Sequence, residues 1–167
     1  MRGSTFPSSP SIAPEQGIRR PIVCRRVGDE AERALHFAVR NEVFVTEQGL
    51  FSPTDRDARD ESPSTIHVLG VYEERPAGAV RLYPLDASGV WKGDRLAVLQ
   101  PFRRHGMGAP LVRFAVRTAG ELGGTIMVAK IQAGNVSFFE RLGWARVGEP
   151  RPYLGDLHQD MVIPLGS

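Results

Sequence analysis

Cysteine is almost missing from this chain: Cys24 is the only one in 167 residues. One thiol can build neither a disulfide framework nor a thiolate zinc cluster. Lysine is nearly as scarce. Lys92 and Lys130 stand alone, so arginine supplies 19 of the 21 basic side chains. Against 19 acidic residues the net charge is +2, too balanced for a nucleic-acid-binding surface. No apolar run nears the roughly 20 residues of a membrane span, and no signal-peptide core stands near the N-terminus. These absences lead us to expect a cytoplasmic protein with no resident metal and with neither nucleic acid nor membrane as partner.

What is present reads as one globular domain. Hydrophobic residues make up 41% and charged residues 24%, ordinary values for a folded chain, and the length is enough for a full core. Residues 1–17 are rich in Ser, Pro and Gly and are expected to be a disordered tail, leaving 18–167 as the domain. Ile22–Val27 reads as a first strand. Asp29 then caps a helix, with Glu32 at the capping-box position, and Ala31, Ala34, Leu35 and Ala38 share one face of it. Val43-Phe44-Val45 either extends or ends that helix. Ser52–Ser64 is a polar, Asp-rich loop. Ile66–Tyr72 and Ala77–Tyr83 form a hairpin, and Val90–Leu99 is the next strand. A long helix runs from about Met107 to Leu122, where Gly123-Gly124 stops it. Thr125–Ile131 is a strand and Val136–Leu142 a short helix, followed by strands near Ala145–Val147 and Gln159–Ile163.

The segment from Leu96 to Gly108 carries the most chemistry. A short apolar strand runs into a basic turn, Gln100-Pro101-Phe102-Arg103-Arg104-His105-Gly106-Met107-Gly108, which opens the long helix. Such a turn aims backbone N–H groups at one spot, and the helix dipole adds partial positive charge there. Gly106 and Gly108 leave room for a ligand's phosphates to come close. Arg103, Arg104 and His105 add donors. The pattern predicts a pyrophosphate site. It lacks the Lys-Ser/Thr of a P-loop, and its context does not fit a dinucleotide fingerprint.

This Arg103-x-x-Gly106-x-Gly108 resembles the acetyl-CoA loop of the GCN5-related N-acetyltransferase family, and the likeness covers about Ile22 to Leu165. Phe138-Phe139-Glu140-Arg141-Leu142-Gly143-Trp144 is similar to the family's run after its fifth strand. Arg40-x-x-Val43-Phe44-Val45-x-Glu47-Gln48 resembles the ElaA-like branch, the nitrogen-starvation N-acetyltransferases and, more remotely, the acyl-homoserine lactone synthases. The resemblance implies an α/β (α+β) fold: a central, mixed, mostly antiparallel twisted sheet of six to seven strands flanked by helices. It implies acetyl-CoA as cosubstrate, held by Ala97, Val98, Arg103, Arg104, His105, Gly106, Met107, Gly108 and Phe139. It also implies a small-molecule primary amine as acceptor, with a homodimer as a possible assembly.

Amine acetylation needs the thioester held, its carbonyl polarised and the amine made neutral. The resemblance assigns the polarising backbone N–H to Ala97 or Val98. Asp94 lies four residues before Val98, where a glutamate serves as base in the histone acetyltransferase branch. Glu47 is a second candidate base, and otherwise a structural partner for Arg40. Phe139 falls where many members carry a tyrosine that protonates the leaving thiolate. Phenylalanine cannot donate a proton, which leaves Tyr153 or solvent for that role. His67 could titrate near neutrality but reads more readily as structural, and His158 and Tyr153 could line the acceptor site. Cys24 reads as a small core residue. Asp55, Asp57, Asp60 and Glu61, interleaved with Arg56 and Arg59, read as a solvated loop before an amine-attracting one. Two other functions stay open: a non-catalytic acyl-CoA sensor, and a signal synthase resembling the acyl-homoserine lactone enzymes.

Overall fold

A computed structural model of the chain describes residues 21–166; the expected tail, 1–17, lies outside them. Seven strands are described: β1 (Ile22–Arg26), β2 (Ile66–Tyr72), β3 (Arg75–Pro84), β4 (Val90–Val98), β5 (Ile126–Gln132), β6 (Ala145–Tyr153) and β7 (Asp156–Pro164). They form one sheet in the order β1-β2-β3-β4-β5-β7-β6. Every pairing is antiparallel except β4 with β5. Three helices accompany the sheet: α1 (Glu30–Arg40), α2 (Gly108–Glu121) and α3 (Val136–Arg141). This is the mixed, mostly antiparallel architecture that the motifs imply.

The alternation of side chains along β3 divides the core between the two faces of the sheet. Val80 and Leu82 join Leu111, Val112, Ala115 and Ala119 of α2 in the main cluster. Ala79, one residue out of phase, packs with Val39, Val43 and Ala97 in a smaller cluster on the α1 side. Gly78 lets α2 approach β3 closely: a Cβ there would lie 2.7 Å from Leu111 Cδ1 and 3.0 Å from the Ala97 carbonyl oxygen.

Helix α1 departs from the reading of its apolar stripe. Asp29 caps it as expected, accepting from Glu32 N–H at 2.8 Å, but Glu32 reaches back to Gly28 N–H rather than to the cap residue. Ala31, Ala34, Leu35 and Ala38 face solvent, with Leu35 41% exposed. The buried face is His36, Phe37, Val39 and Arg40. Three alanines bury little area, whereas Phe37 and Val39 bury more, and the charged members find partners described below. Val43-Phe44-Val45 continues the helix as a wider π-helical turn, Asn41–Glu47. β6 and β7 both exceed their expected lengths. β6 carries Gly148, Pro150 and Pro152, residues that an edge strand tolerates because its outer N–H groups pair with no other strand among the described residues.

Candidate active site

β4 and β5 lie together over only three residue pairs, Val90–Lys92 against Ile126–Val128. Beyond these β5 stays with β7 as far as Gln132, while β4 follows β3. The strands therefore part and open a cavity of about 230 Å³ through the sheet. Its α2-side wall includes Val112, Ala115, Met127 and Phe139; the opposite mouth includes Phe44, Phe51, Lys92, Asp94, Tyr153 and His158.

β4 is irregular where it parts. Ala79 faces Ala97 and Arg81 faces Asp94, so two steps along β3 match three along β4. The extra residue sits at Arg95-Leu96, and Arg95 takes a left-handed φ of 54°. That costs a non-glycine residue free energy, and its side chain is held in compensation by the Asp55 carbonyl at 2.9 Å and the Asp55 carboxylate at 3.1 Å. Past the bulge, Leu99 N–H donates to Ala77 O at 2.8 Å. Antiparallel alternation then turns the Val98 N–H away from β3, toward the gap. Of the two backbone donors considered, Val98 is the one so aimed; Ala97 is turned to β3 and buried.

The basic turn follows directly. Gln100–His105 is a 3-10 turn ended by Gly106 at φ 74°, a conformation suited to glycine. A Cβ at Gly106 would meet nothing within 4 Å, and one at Gly108 would touch only Phe138 Cζ at 3.4 Å. The turn is thus an open cradle at the start of α2. Pro110 stands in the first helical turn, where its missing N–H is no loss. Such a cradle fits a pyrophosphate. The three basic side chains divide. His105 stacks on Tyr72 at 4.4 Å between centroids. Arg103 gives its guanidinium to Glu47, at 2.6 and 2.5 Å, and its Nε to Val98 O at 2.9 Å. Arg104 makes neither an ion pair nor a ring stack among the described residues and stays exposed.

This corrects one partnership: Glu47 pairs with Arg103, not Arg40. The Arg103 hydrogen bond holds the exposed Glu47 carboxyl below the usual carboxylate range, which makes it a poorer base, and Glu47 is not among the residues lining the cavity. Asp94 does line it, but its oxygens accept from Arg81 Nε and Nη2, both at 2.8 Å, and from Tyr83 OH at 3.3 Å. Burial and the Asp94 charge push the Tyr83 phenol up to about 12. Tyr153 reaches the mouth, 40% exposed, edge-on to His158. Phe139 is buried against Trp144 in the cavity wall. Cys24 is half-buried, and burial, opposed by Arg117, pushes its thiol up to about 11, as suits an unreactive packing residue.

The Asp-rich loop is solvated only in part: Asp57 and Glu61 are exposed, but its other two acids are not. Asp55 and Asp60 are each 1% exposed. Arg40 binds Asp55 at 2.7 Å and forks onto Asp60 at 2.8 and 3.1 Å. Arg81 bridges Asp57 at 2.6 Å and Asp60 at 3.2 Å. His67 Nε2 donates to Asp60 at 2.9 Å, so His67 is structural. Burial alone would raise the Asp60 carboxyl; the hydrogen bonds from His67 and Arg40 outweigh it and hold the group well below the carboxylate range. His36 donates from Nδ1 to Val68 O at 2.9 Å and accepts from Arg40 Nη1 at 3.2 Å. Burial pulls its pKa down to about 3, so it stays neutral. The network anchors α1, the loop and the β4 bulge to one another.

Two cavity residues were not singled out from the sequence. Lys92 is half-buried with no carboxylate within 4.0 Å among the described residues. Trp144 lines the cavity 5% exposed, and its indole N–H has no acceptor among the described residues. The one available signal for Lys92 was its rarity.

Comparison with known proteins agrees with this geometry. The family model described as the acetyltransferase (GNAT) family matches residues 23–144. YjcF of Bacillus subtilis, described as an uncharacterized N-acetyltransferase, is 28% identical over 113 residues, covering 68% of this chain and 78% of YjcF. Among solved structures, Escherichia coli ElaA matches with a TM-score of 0.75 at 20% identity, covering 85% of this chain and 99% of ElaA. An acyl-CoA N-acyltransferase from Pseudomonas aeruginosa matches with 0.73 at 24% identity, covering 85% of this chain and 97% of its own. At those identities the two structures speak for the fold.

Proposed function

Since the chain belongs to the acetyltransferase (GNAT) family, we propose that it moves an acetyl group from acetyl-CoA to the primary amine of a small molecule. One observation carries this reading: the open glycine cradle at the start of α2 lies beside the place where β4 and β5 part. A pyrophosphate on the cradle, held by backbone N–H groups and Arg104, sends a thioester arm into the cavity. The Val98 N–H faces the thioester carbonyl and stabilises its developing negative charge. The buried Trp144 N–H serves an oxygen of the same donor, for an unpaired buried donor is costly without one. Asp94 positions the incoming amine or its water; with Arg81 forked onto it, it acts by orientation more than as a strong base. Tyr153, at the mouth, is the hydroxyl available to the leaving thiolate. Arg103 keeps the cradle tied to the Asn41–Glu47 turn through Glu47.

The test is release of CoA from acetyl-CoA across a panel of primary amines, with the acetylated product identified by mass. Turnover with at least one amine supports the reading. Tight binding of CoA with no turnover on any amine would replace it with an acyl-CoA sensor.

A further inference from the structure

We propose that the acceptor carries a carboxylate beside its amine, and that Lys92 is the residue that binds it. This rests on the acetyltransferase reading above and narrows its substrate class to α-amino acids with apolar side chains.

The cavity is lined by few charged or titratable groups besides Tyr153: Lys92, Asp94, Arg95, Lys130 and His158. All but one already have a partner. Arg81 forks onto Asp94. Arg95 is held by Asp55 and Asp57. Lys130 binds Asp160 at 3.2 Å, which also accepts from Arg151 at 2.6 Å. His158 Nδ1 donates to the Asp156 carbonyl at 3.2 Å. Among the described residues, Lys92 is the exception.

Register places Lys92 where the acceptor must pass. It pairs across β4–β5 with Val128, the last pair before the strands separate. It also faces Tyr83 on β3, as Asp94 faces Arg81. Lys92 and Asp94 therefore share one face of the sheet, two residues apart. An ammonium entering here finds no free carboxylate, whereas a carboxylate finds an unpaired, half-buried cation. A polycationic amine would meet the unpaired Lys92, while Asp94, the carboxylate of the lining, is already taken by Arg81. The remaining mouth residues include Phe44, Leu50, Phe51 and Leu154, an apolar and aromatic wall suited to an apolar side chain.

The experiment measures kcat/KM for acetylation of phenylalanine, leucine and methionine, each beside its decarboxylated amine and its amide. The unaltered protein should favour at least one acid over its own counterparts by about tenfold or more. Lys92→Met should bring that ratio close to one, and Lys92→Arg, which keeps the charge, should restore most of it. Thermal unfolding of each variant confirms folding. Acids used no better than their amines, or a ratio unchanged in Lys92→Met, overturns the inference and leaves the acetyltransferase reading standing. Absence of CoA release with every amine, acid or not, overturns that reading and the inference with it.

Discussion

Arg40→Met should cost this fold several kcal/mol although the substitution touches neither cradle nor cavity. Arg40 is 0% exposed and makes three charge-assisted bonds, one to Asp55 and two to Asp60. Methionine fills similar space but leaves two buried carboxylates short of a cation. Breaking one side of a buried pair typically costs about 3–5 kcal/mol. Here Asp60 keeps Arg81 at 3.2 Å and His67 at 2.9 Å, and Asp55 keeps Arg95 at 3.1 Å. The residual compensation points to the lower end, about 3 kcal/mol. For a chain of this length that is a fall in Tm of roughly 6–12 °C. The assay is urea unfolding at neutral pH, read as a drop in midpoint at constant slope, beside Arg146→Ala. Arg146 pairs with Glu140 at the surface, its side chain 56% exposed, and its loss should stay within about 0.5 kcal/mol. Asp60→Asn added to Arg40→Met should recover part of the deficit, since it removes a stranded charge. A loss under about 1 kcal/mol for Arg40→Met would refute the claim that this network holds α1 to the sheet.

Three further outcomes follow from the same geometry. Gly106→Val should weaken CoA binding by at least about tenfold, roughly 1.4 kcal/mol, measured by calorimetry; Gly123→Val, also at positive φ with open space around it, carries comparable backbone strain and should bind CoA normally. Trp144→Phe should raise the Kd for CoA or the KM for acetyl-CoA about fivefold, near 1 kcal/mol, with Tm little changed; unaltered values for both would remove the indole N–H from the donor site. His36 is held neutral down to about pH 3 against an ordinary 6.5, so its stability contribution is complete above pH 6.5 and falls as pH drops, because only the unfolded chain takes up the proton there. The slope is at most about 1.4 kcal/mol per pH unit, and His36→Gln should flatten it between pH 6.5 and 4 in urea midpoints.

How much of this was legible depended on the distance between partners along the chain. The cradle is contiguous: strand, turn and helix start follow one another from Leu96 to Leu111, so residue type and order suffice. The hairpin of β2 and β3 and the stop at Gly123 are local in the same way. The acidic loop is the opposite case. Asp55 and Asp60 look solvated because their neighbours in sequence are polar, while Arg40 stands 15 and 20 positions away from them and Arg95 40 from Asp55. Only the fold brings those guanidiniums in. Glu47 and Arg103 are 56 apart, which is why a nearby arginine was the natural but mistaken partner. The stripe on α1 misleads for a related reason: periodicity reports which residues share a face, not what that face meets.

Composition carried a clue that acquires meaning only in three dimensions. Nineteen arginines against two lysines suggest base composition before chemistry. In the folded chain the two types divide the work. Arg40, Arg81, Arg95 and Arg103 each engage carboxylates inside or beside the structural network, where a planar, always-charged fork outperforms a point charge. Both lysines line the cavity. Replacing Lys92 by arginine therefore tests more than charge. If the planar group serves the acceptor equally well, the site needs only a cation; if charge is kept but the preference for acids falls, the site needs the compact ammonium that this chain uses at two positions only.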